Sequence, residues 1–183
     1  MGPVAVLVPA KFFVKAKLRL APALPAAERA ALARSMAEGV LRATGGLPCA
    51  VVCDDAEVAA WALAQGAGVL WQPGRGLNGA VQSGVARLAD AGVLQVIVAH
   101  ADLPMATDVS WTASFPGVTL VPDRREDGTN VACVPARTGF RFAYGPGSFA
   151  RHQAEAARLR LPLRVVREPR LAWDVDVPAD LTR

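Results

Sequence analysis

Short valine-rich runs alternate with longer segments of helical period along most of this chain, and that alternation constrains its fold more than any other feature. Residues 4–8, VAVLV, form an apolar run suited to a central strand. Residues 26–43 read as a helix: Glu28 lies in the first turn, Leu32, Met36, Val40 and Leu41 share one face, and Gly45-Gly46 stops it. A strand at 50–53 precedes Asp54 or Asp55, either of which can cap a helix running to Ala64. A strand at 68–71, a helix at 77–91, a strand at 93–99, a short helix at 107–113 and a strand at 118–121 continue the rhythm. Repetition of this kind predicts a mostly parallel sheet with helices on both faces, a three-layer α/β/α arrangement. Beyond Pro122 the rhythm changes. Residues 131–134 and 140–144 read as short strands, Ser148 as the cap of a helix to Arg160, and 163–167 as a last strand. With no internal repeat, low-complexity tract or linker, a single domain over 1–183 is expected.

Composition narrows the function classes. No apolar run approaches the ~20 residues that span a bilayer, and Pro9 and Lys11 interrupt the apolar N-terminus, which reads as a buried strand rather than a signal peptide. Val6 removes the Ser/Thr of a myristoylation signal. No membrane association and a cytoplasmic location are therefore expected. Cys49, Cys53 and Cys133, with only His100 and His152, do not make a zinc site. The net charge of +4 suits an anionic ligand, but the arginines are scattered and no basic run interleaves with aromatics, so nucleic acid is not the expected partner. Oligomeric state is left open, and a homodimer is compatible with the sequence.

In open parallel sheets ligands bind beyond the carboxyl ends of the strands, so chemistry is sought in the segments that follow them. Lys11, Lys17 and Arg19 follow the first strand and could neutralise a triphosphate, although a basic surface loop would look the same. Gly74-Arg75-Gly76-Leu77-Asn78-Gly79 is a literal G-x-G-x-x-G, with Asp102 at roughly the spacing of a ribose-binding acid. It follows the third strand rather than the first, however, and a glycine-rich turn without a ligand fits equally. Asp102, in His100-Ala101-Asp102-Leu103-Pro104, leaves the most apolar strand; Thr107 and Asp108 are better placed to cap the next helix. Asp174 and Asp176 stand two apart, so in an extended segment both carboxylates face one side and their repulsion calls for a cation. An acidic solvent-facing edge is the plainer alternative. With Asp102, Mg²⁺ held against the phosphates of a nucleoside triphosphate is the expected cofactor. Gly128-Thr129-Asn130 and Tyr144-Gly145-Pro146-Gly147-Ser148 are turns that can offer N–H groups to an anion, with Ser148 equally a plain N-cap. His152, one turn later, reads as a helix-surface residue, with a general-base role the sharper alternative. No Walker A sequence, Gly-x-Ser-x-Gly elbow or His-Glu-x-x-His occurs.

Taken in order, VPAK with AKLRLAP, GLNGAV, ADLP, PDRREDGTN, YGPGSFARH and the terminal DVDVPADL resemble the guanylyltransferases of coenzyme F-420 biosynthesis, which act on 2-phospho-L-lactate or phosphoenolpyruvate. The resemblance runs over nearly the whole chain. It implies a glycosyltransferase-A-like (Rossmann-like) nucleotidyltransferase fold and transfer of GMP from GTP to a small phospho-acid, with release of pyrophosphate. It further implies Asp102, Asp174 and Asp176 as metal ligands and Thr129, Gly145 and Ser148 as residues holding the phospho-acid. Lys11, Lys17 and Arg19 would lie by the triphosphate, Gly76 and Asn78 by the base or ribose, with Lys17 and Asp102 the catalytic pair. Leu18 departs from the usual Ser and His100 from the usual Pro. A related nucleotidyltransferase with a molybdopterin or sugar-phosphate acceptor, and a non-catalytic nucleotide-binding module, are the alternatives.

Overall fold

The computed structural model describes residues 3–13 and 16–181; the ends of the 1–183 span and residues 14 and 15 of the basic segment lie outside it. β1 (Val4–Pro9), β2 (Cys49–Cys53), β3 (Gly68–Trp71) and β4 (Gln95–Ala99) run parallel in the order β3-β2-β1-β4. The sheet continues as β6 (Thr129–Pro135), β5 (Val118–Pro122) and β7 (Leu163–Val165), to give seven strands among the described residues. β6 pairs antiparallel with both β4 and β5, while β5 and β7 are parallel. Reversal of β6 brings its first residues to the carboxyl edge of the other strands: Val131 stands opposite Ala99, and the His100 N–H donates to the Asn130 carbonyl at 3.0 Å.

The period of two along each strand sorts side chains onto two faces. Ala5, Leu7, Ala50, Val52, Val96, Val98, Ala132 and Val134 pack with Val81, Val85 and Leu88 of α3 (Gly76–Asp90) and Phe149 and Ala156 of α4 (Ser148–Arg158). Their neighbours Val6, Val8, Val51, Cys53, Ile97, Ala99, Val131 and Cys133 pack with Ala33, Ala37 and Val40 of α1 (Ala26–Arg42), with Trp61 of α2 (Ala56–Ala64) and with Leu171 of α5 (Pro169–Ala172). The three layers expected from the alternation are present. Asp55, not Asp54, caps α2, its carboxylate accepting from the Val58 N–H. No helix among the described residues is long and apolar enough to cross a membrane.

Three elements differ from the sequence reading. The helix expected at 107–113 is a 3-10 helix at Ser110–Ser114, preceded by Asp108 accepting from the Ser110 N–H at 2.7 Å. Gly147, with φ +71°, is the N-cap of α4, and Ser148 is the first helical residue. Most informative is 140–144, which has no regular secondary structure and joins no strand among the described residues. Its N–H groups are taken by side chains instead: Arg141 donates to Glu155, Phe142 to Gln82, Ala143 to His152 and Tyr144 to Asn78. Period-two patterning reports a buried face, and here two helices rather than a strand satisfy the backbone.

Gly84 shows how closely α3 lies on the sheet. A Cβ there would stand 2.8 Å from Cδ2 of Leu7, a fully buried side chain of β1. Gly84→Val is expected to force α3 off β1 and destabilise the chain by about 1–3 kcal/mol, read as a lower urea midpoint with an unchanged slope.

Candidate active site

A cavity of about 460 Å³ opens at the carboxyl edge of β1, β2 and β4. Its walls include Pro9 at the end of β1 with Ala10, Lys11 and Phe13 after it, Val52 to Asp54 at the end of β2, Gln72 after β3, Gly76, Leu77 and Ala80 of α3, and His100 to Asp102 after β4. Lys17, Leu18, Arg19 and Asp176 close one side. Five of the expected nucleotide residues are therefore divided: Lys11, Lys17, Arg19 and Gly76 line the cavity, whereas Asn78 does not. The Asn78 amide turns to Tyr144 instead, accepting from its N–H at 2.7 Å and donating to its carbonyl at 3.3 Å. Gly76 begins α3 at φ +61°, a left-handed conformation that glycine adopts without strain.

Lys17 is the hub of the site. Its ammonium donates to Asp102 Oδ2 at 2.5 Å and to Asp176 Oδ1 at 2.8 Å, with the lysine side chain only 10% exposed. The backbone at Lys17 is left-handed, φ 55°, where it precedes a 3-10 turn, Leu18–Leu20. That conformation is uncommon for a residue with a side chain; here the two ion pairs and Leu20 hold it. Leu20 is fully buried against Met36 of α1 and Val175, which lies between the two C-terminal aspartates. Burial opposes the charge on Lys17, but the two carboxylates outweigh it and the ammonium pKa is raised. Burial likewise opposes ionisation of Asp102, and Lys17 more than compensates, holding that carboxyl below its ordinary range.

Among the described residues Asp174 has no such partner. Burial, reinforced by the charges of Asp102 and Asp176, pushes its carboxyl pKa up. Asp102 Oδ1 and Asp174 Oδ1 are both buried with no hydrogen-bond partner among the described residues. Uncompensated buried carboxylate oxygens are costly and call for a cation or a proton. The cation that answers Asp176 is Lys17, supplemented by the exposed Arg19 at 3.8 Å. Among the described residues no three Asp, Glu, His or Cys side chains form a ready metal cage. The free oxygens on Asp102 and Asp174 nonetheless match a small hard cation that takes one or two carboxylates and completes its shell with water and phosphate.

Asp180 escaped the sequence reading. Its side chain is fully buried and accepts from the Asp176 N–H at 2.8 Å and the Val177 N–H at 2.9 Å. Arg124 pairs with the same carboxylate and lies 4.1 Å over the Trp173 ring. Asp180 thus fixes the backbone that presents Asp176. The Asp-Leu pair closing the DVDVPADL motif was its only signal in the sequence.

Thr129, Gly145 and Ser148 lie outside the cavity wall but are brought together. The Thr129 N–H donates to Ser148 Oγ at 3.1 Å, and the Ser148 N–H donates to the Gly145 carbonyl at 3.0 Å. Gly145 has φ +115°, open only to glycine. Arg151 gathers the Ala143, Gly145 and Pro146 carbonyls, and Asp127 accepts from the Gly147 N–H. Asp123 closes the loop before β6 by accepting from the Arg125, Asp127 and Gly128 N–H groups. His152, expected on the helix surface, is fully buried, with Nε2 accepting from the Ala143 N–H and Nδ1 3.0 Å from Thr129 Oγ1. It stands on the core face of α4, beneath the 140–144 segment. Between the two compartments stand His100, which lines the cavity, and Tyr144, their rings 4.7 Å apart.

Known proteins resemble the chain in sequence and in fold. It is 39% identical to the phosphoenolpyruvate guanylyltransferase of Sphaerobacter thermophilus, over 96% of this chain and 89% of that protein. It is 36% identical to the 2-phospho-L-lactate guanylyltransferase of Halorubrum lacusprofundi, over 90% of this chain and 76% of that one. A cytidylyltransferase from Leptospira borgpetersenii superposes with a TM-score of 0.65 at 12% identity, covering 99% of this chain and 84% of that one. The fold is therefore the glycosyltransferase-A-like nucleotidyltransferase type that the motifs implied. A family model described as "Guanylyl transferase CofC like" matches residues 4–183. The chain belongs to that family, and is a nucleotidyltransferase.

Proposed function

We propose that this enzyme transfers GMP from GTP to phosphoenolpyruvate, or to 2-phospho-L-lactate, and releases pyrophosphate, with Mg²⁺ as cofactor and as a step in coenzyme F-420 biosynthesis. The observation that carries the reading is the Lys17–Asp102–Asp176 cluster in the wall of a 460 Å³ cavity, a size suited to a small ligand such as a nucleotide. Phosphoenolpyruvate is preferred because the relatives of that name reach 39% identity.

The chemistry asks little of a nucleophile-activating group. An oxygen of the acceptor phosphate, already anionic, attacks the α-phosphorus; the bond from that phosphorus to the α–β bridging oxygen breaks, and pyrophosphate leaves with the electron pair. What must be supplied is in-line positioning and relief of repulsion between two anions. Lys17 offers a buried cation on the cavity side, and Lys11 and Arg19 add positive charge at the mouth. His100 and His152 are both held below their ordinary pKa by burial, so neither brings a positive charge near neutral pH. Mg²⁺, held by Asp102 and Asp174 with Asp176, would supply Lewis acidity to a phosphoryl oxygen. Gly76, at the start of α3 in the cavity wall, would receive the base or ribose, while Thr129, Gly145 and Ser148 would receive the phospho-acid.

Pyrophosphate release is the direct test. It is expected with GTP and phosphoenolpyruvate or 2-phospho-L-lactate, to be lost on chelation of Mg²⁺ and to be absent with GTP alone. Release with neither phospho-acid would exclude the acceptor reading. Asp102→Asn, Asp174→Asn and Asp176→Asn should each lower kcat/KM by about 10²-fold or more while the circular dichroism spectrum is retained. Wild-type turnover in Asp176→Asn would remove that residue from the metal assignment.

A further inference from the structure

His152 is bonded in a way that determines its protonation. The Ala143 N–H donates to Nε2 at 3.0 Å, so that nitrogen carries a lone pair and no proton. Burial, aided by His100 and Arg151, pushes the imidazole pKa down to about 4, and the ring is neutral at neutral pH. A neutral ring with an accepting Nε2 has its proton on Nδ1, and Nδ1 lies 3.0 Å from Thr129 Oγ1. Thr129 therefore accepts through its hydroxyl oxygen. Ser148 is in the same condition, because its Oγ accepts the Thr129 N–H at 3.1 Å. Among the described residues neither hydroxyl proton has a protein acceptor, although both residues are 2% exposed. Two adjacent hydroxyls whose oxygens are engaged by N–H donors are left as donors themselves, and a pair of donors suits an anionic oxygen.

We propose that His152 is a positioning residue: as its Nδ1–H tautomer it fixes the Thr129 hydroxyl as a donor, so that Thr129 and Ser148 together present two O–H groups to the anionic end of the acceptor. The proposal rests on the reading of Thr129 and Ser148 as acceptor-binding residues. His152 touches no substrate in this scheme. It also holds Ala143 in the segment leading to Gly145, so the loop and the hydroxyl are set by one ring.

Two measurements test the proposal, and the first does not depend on catalysis. With only two histidines in the chain, ring ¹⁵N spectra of the whole protein at pH 7 are assignable by comparison with a His152 variant. His152 should show a protonated Nδ1 and an unprotonated Nε2; an Nε2–H tautomer or a charged ring would overturn the proposal. The second compares His152→Asn, whose carboxamide nitrogen replaces Nδ1 as donor to Thr129, with His152→Gln, whose oxygen replaces Nε2 as acceptor for Ala143. His152→Gln should raise the KM for phosphoenolpyruvate about tenfold or more, with the KM for GTP unchanged, and His152→Asn should remain nearer the wild type. The reverse order, or an equal rise in both KM values, would mean that packing rather than hydroxyl polarity is at stake. Thr129→Val separates the two levels. An unchanged phosphoenolpyruvate KM there overturns the acceptor-site reading and the proposal with it. A raised KM in Thr129→Val without one in His152→Gln overturns the role of His152 alone.

Discussion

The ammonium of Lys17 joins three parts of the chain that are far apart in sequence. Asp102 is 85 residues away and Asp176 is 159, and the lysine reaches both from a left-handed backbone position. Removing it would leave two carboxylates facing each other, with the exposed Arg19 the remaining cation paired there among the described residues, a pairing worth little in water. The small cluster of Leu20, Met36 and Val175 supplies the apolar half of the same junction, so the charge contact is braced by burial. Among the described residues, Lys17 pairs with Asp102 and Asp176 and Arg19 with Asp176, while no ion pair reaches Asp174. Asp174 is the carboxyl whose pKa burial and the neighbouring Asp102 and Asp176 charges push up. An incoming cation would be most strongly stabilised there.

Reversal of β6 governs what else can reach this point. In an all-parallel sheet the edge above β4 would carry only loops that leave strands. Because β6 runs the other way, the loop from Asp123 to its first residue, Thr129, arrives at that edge beside His100. The result is a division of the edge: a cavity over β1, β2 and β4 on one side, and the Thr129–Ser148 pair under the 145–147 loop on the other. Asp102 and His100 stand at the boundary.

Much of the fold was legible because it rests on periodicity. β1, β2, β3 and β5 and helices α1, α2 and α3 fall within a residue or two of where apolar spacing puts them, and the two-face sorting of β4 follows from the same rule. The candidate residues were legible in a different way, by their order along the chain. Lys17, Asp102 and Asp176 do meet, but that Lys17 answers the repulsion of Asp176 could not be read from the spacing of two aspartates, which says only that a cation is needed. The bonds of Asn78 and the burial of His152 were illegible for one reason. Each bonds to backbone more than fifty residues or a full loop away, Asn78 to Tyr144 and His152 to Ala143, and no local pattern encodes such a partner. Asp180 belongs with them, since its value lies in the two N–H groups it accepts.

The 140–144 segment carries a consequence beyond its missing strand partner. A ladder between two strands is nearly degenerate, because a slide of two residues restores every hydrogen bond and every facing. Here Asn78 and Gln82 from α3 and His152 and Glu155 from α4 each seize one particular amide, and the four side chains differ in length and chemistry. No slid arrangement recovers that set. The segment therefore behaves as a key cut for one lock: its alignment with both helices has a single solution, and the glycine loop that follows inherits that solution as its own starting point.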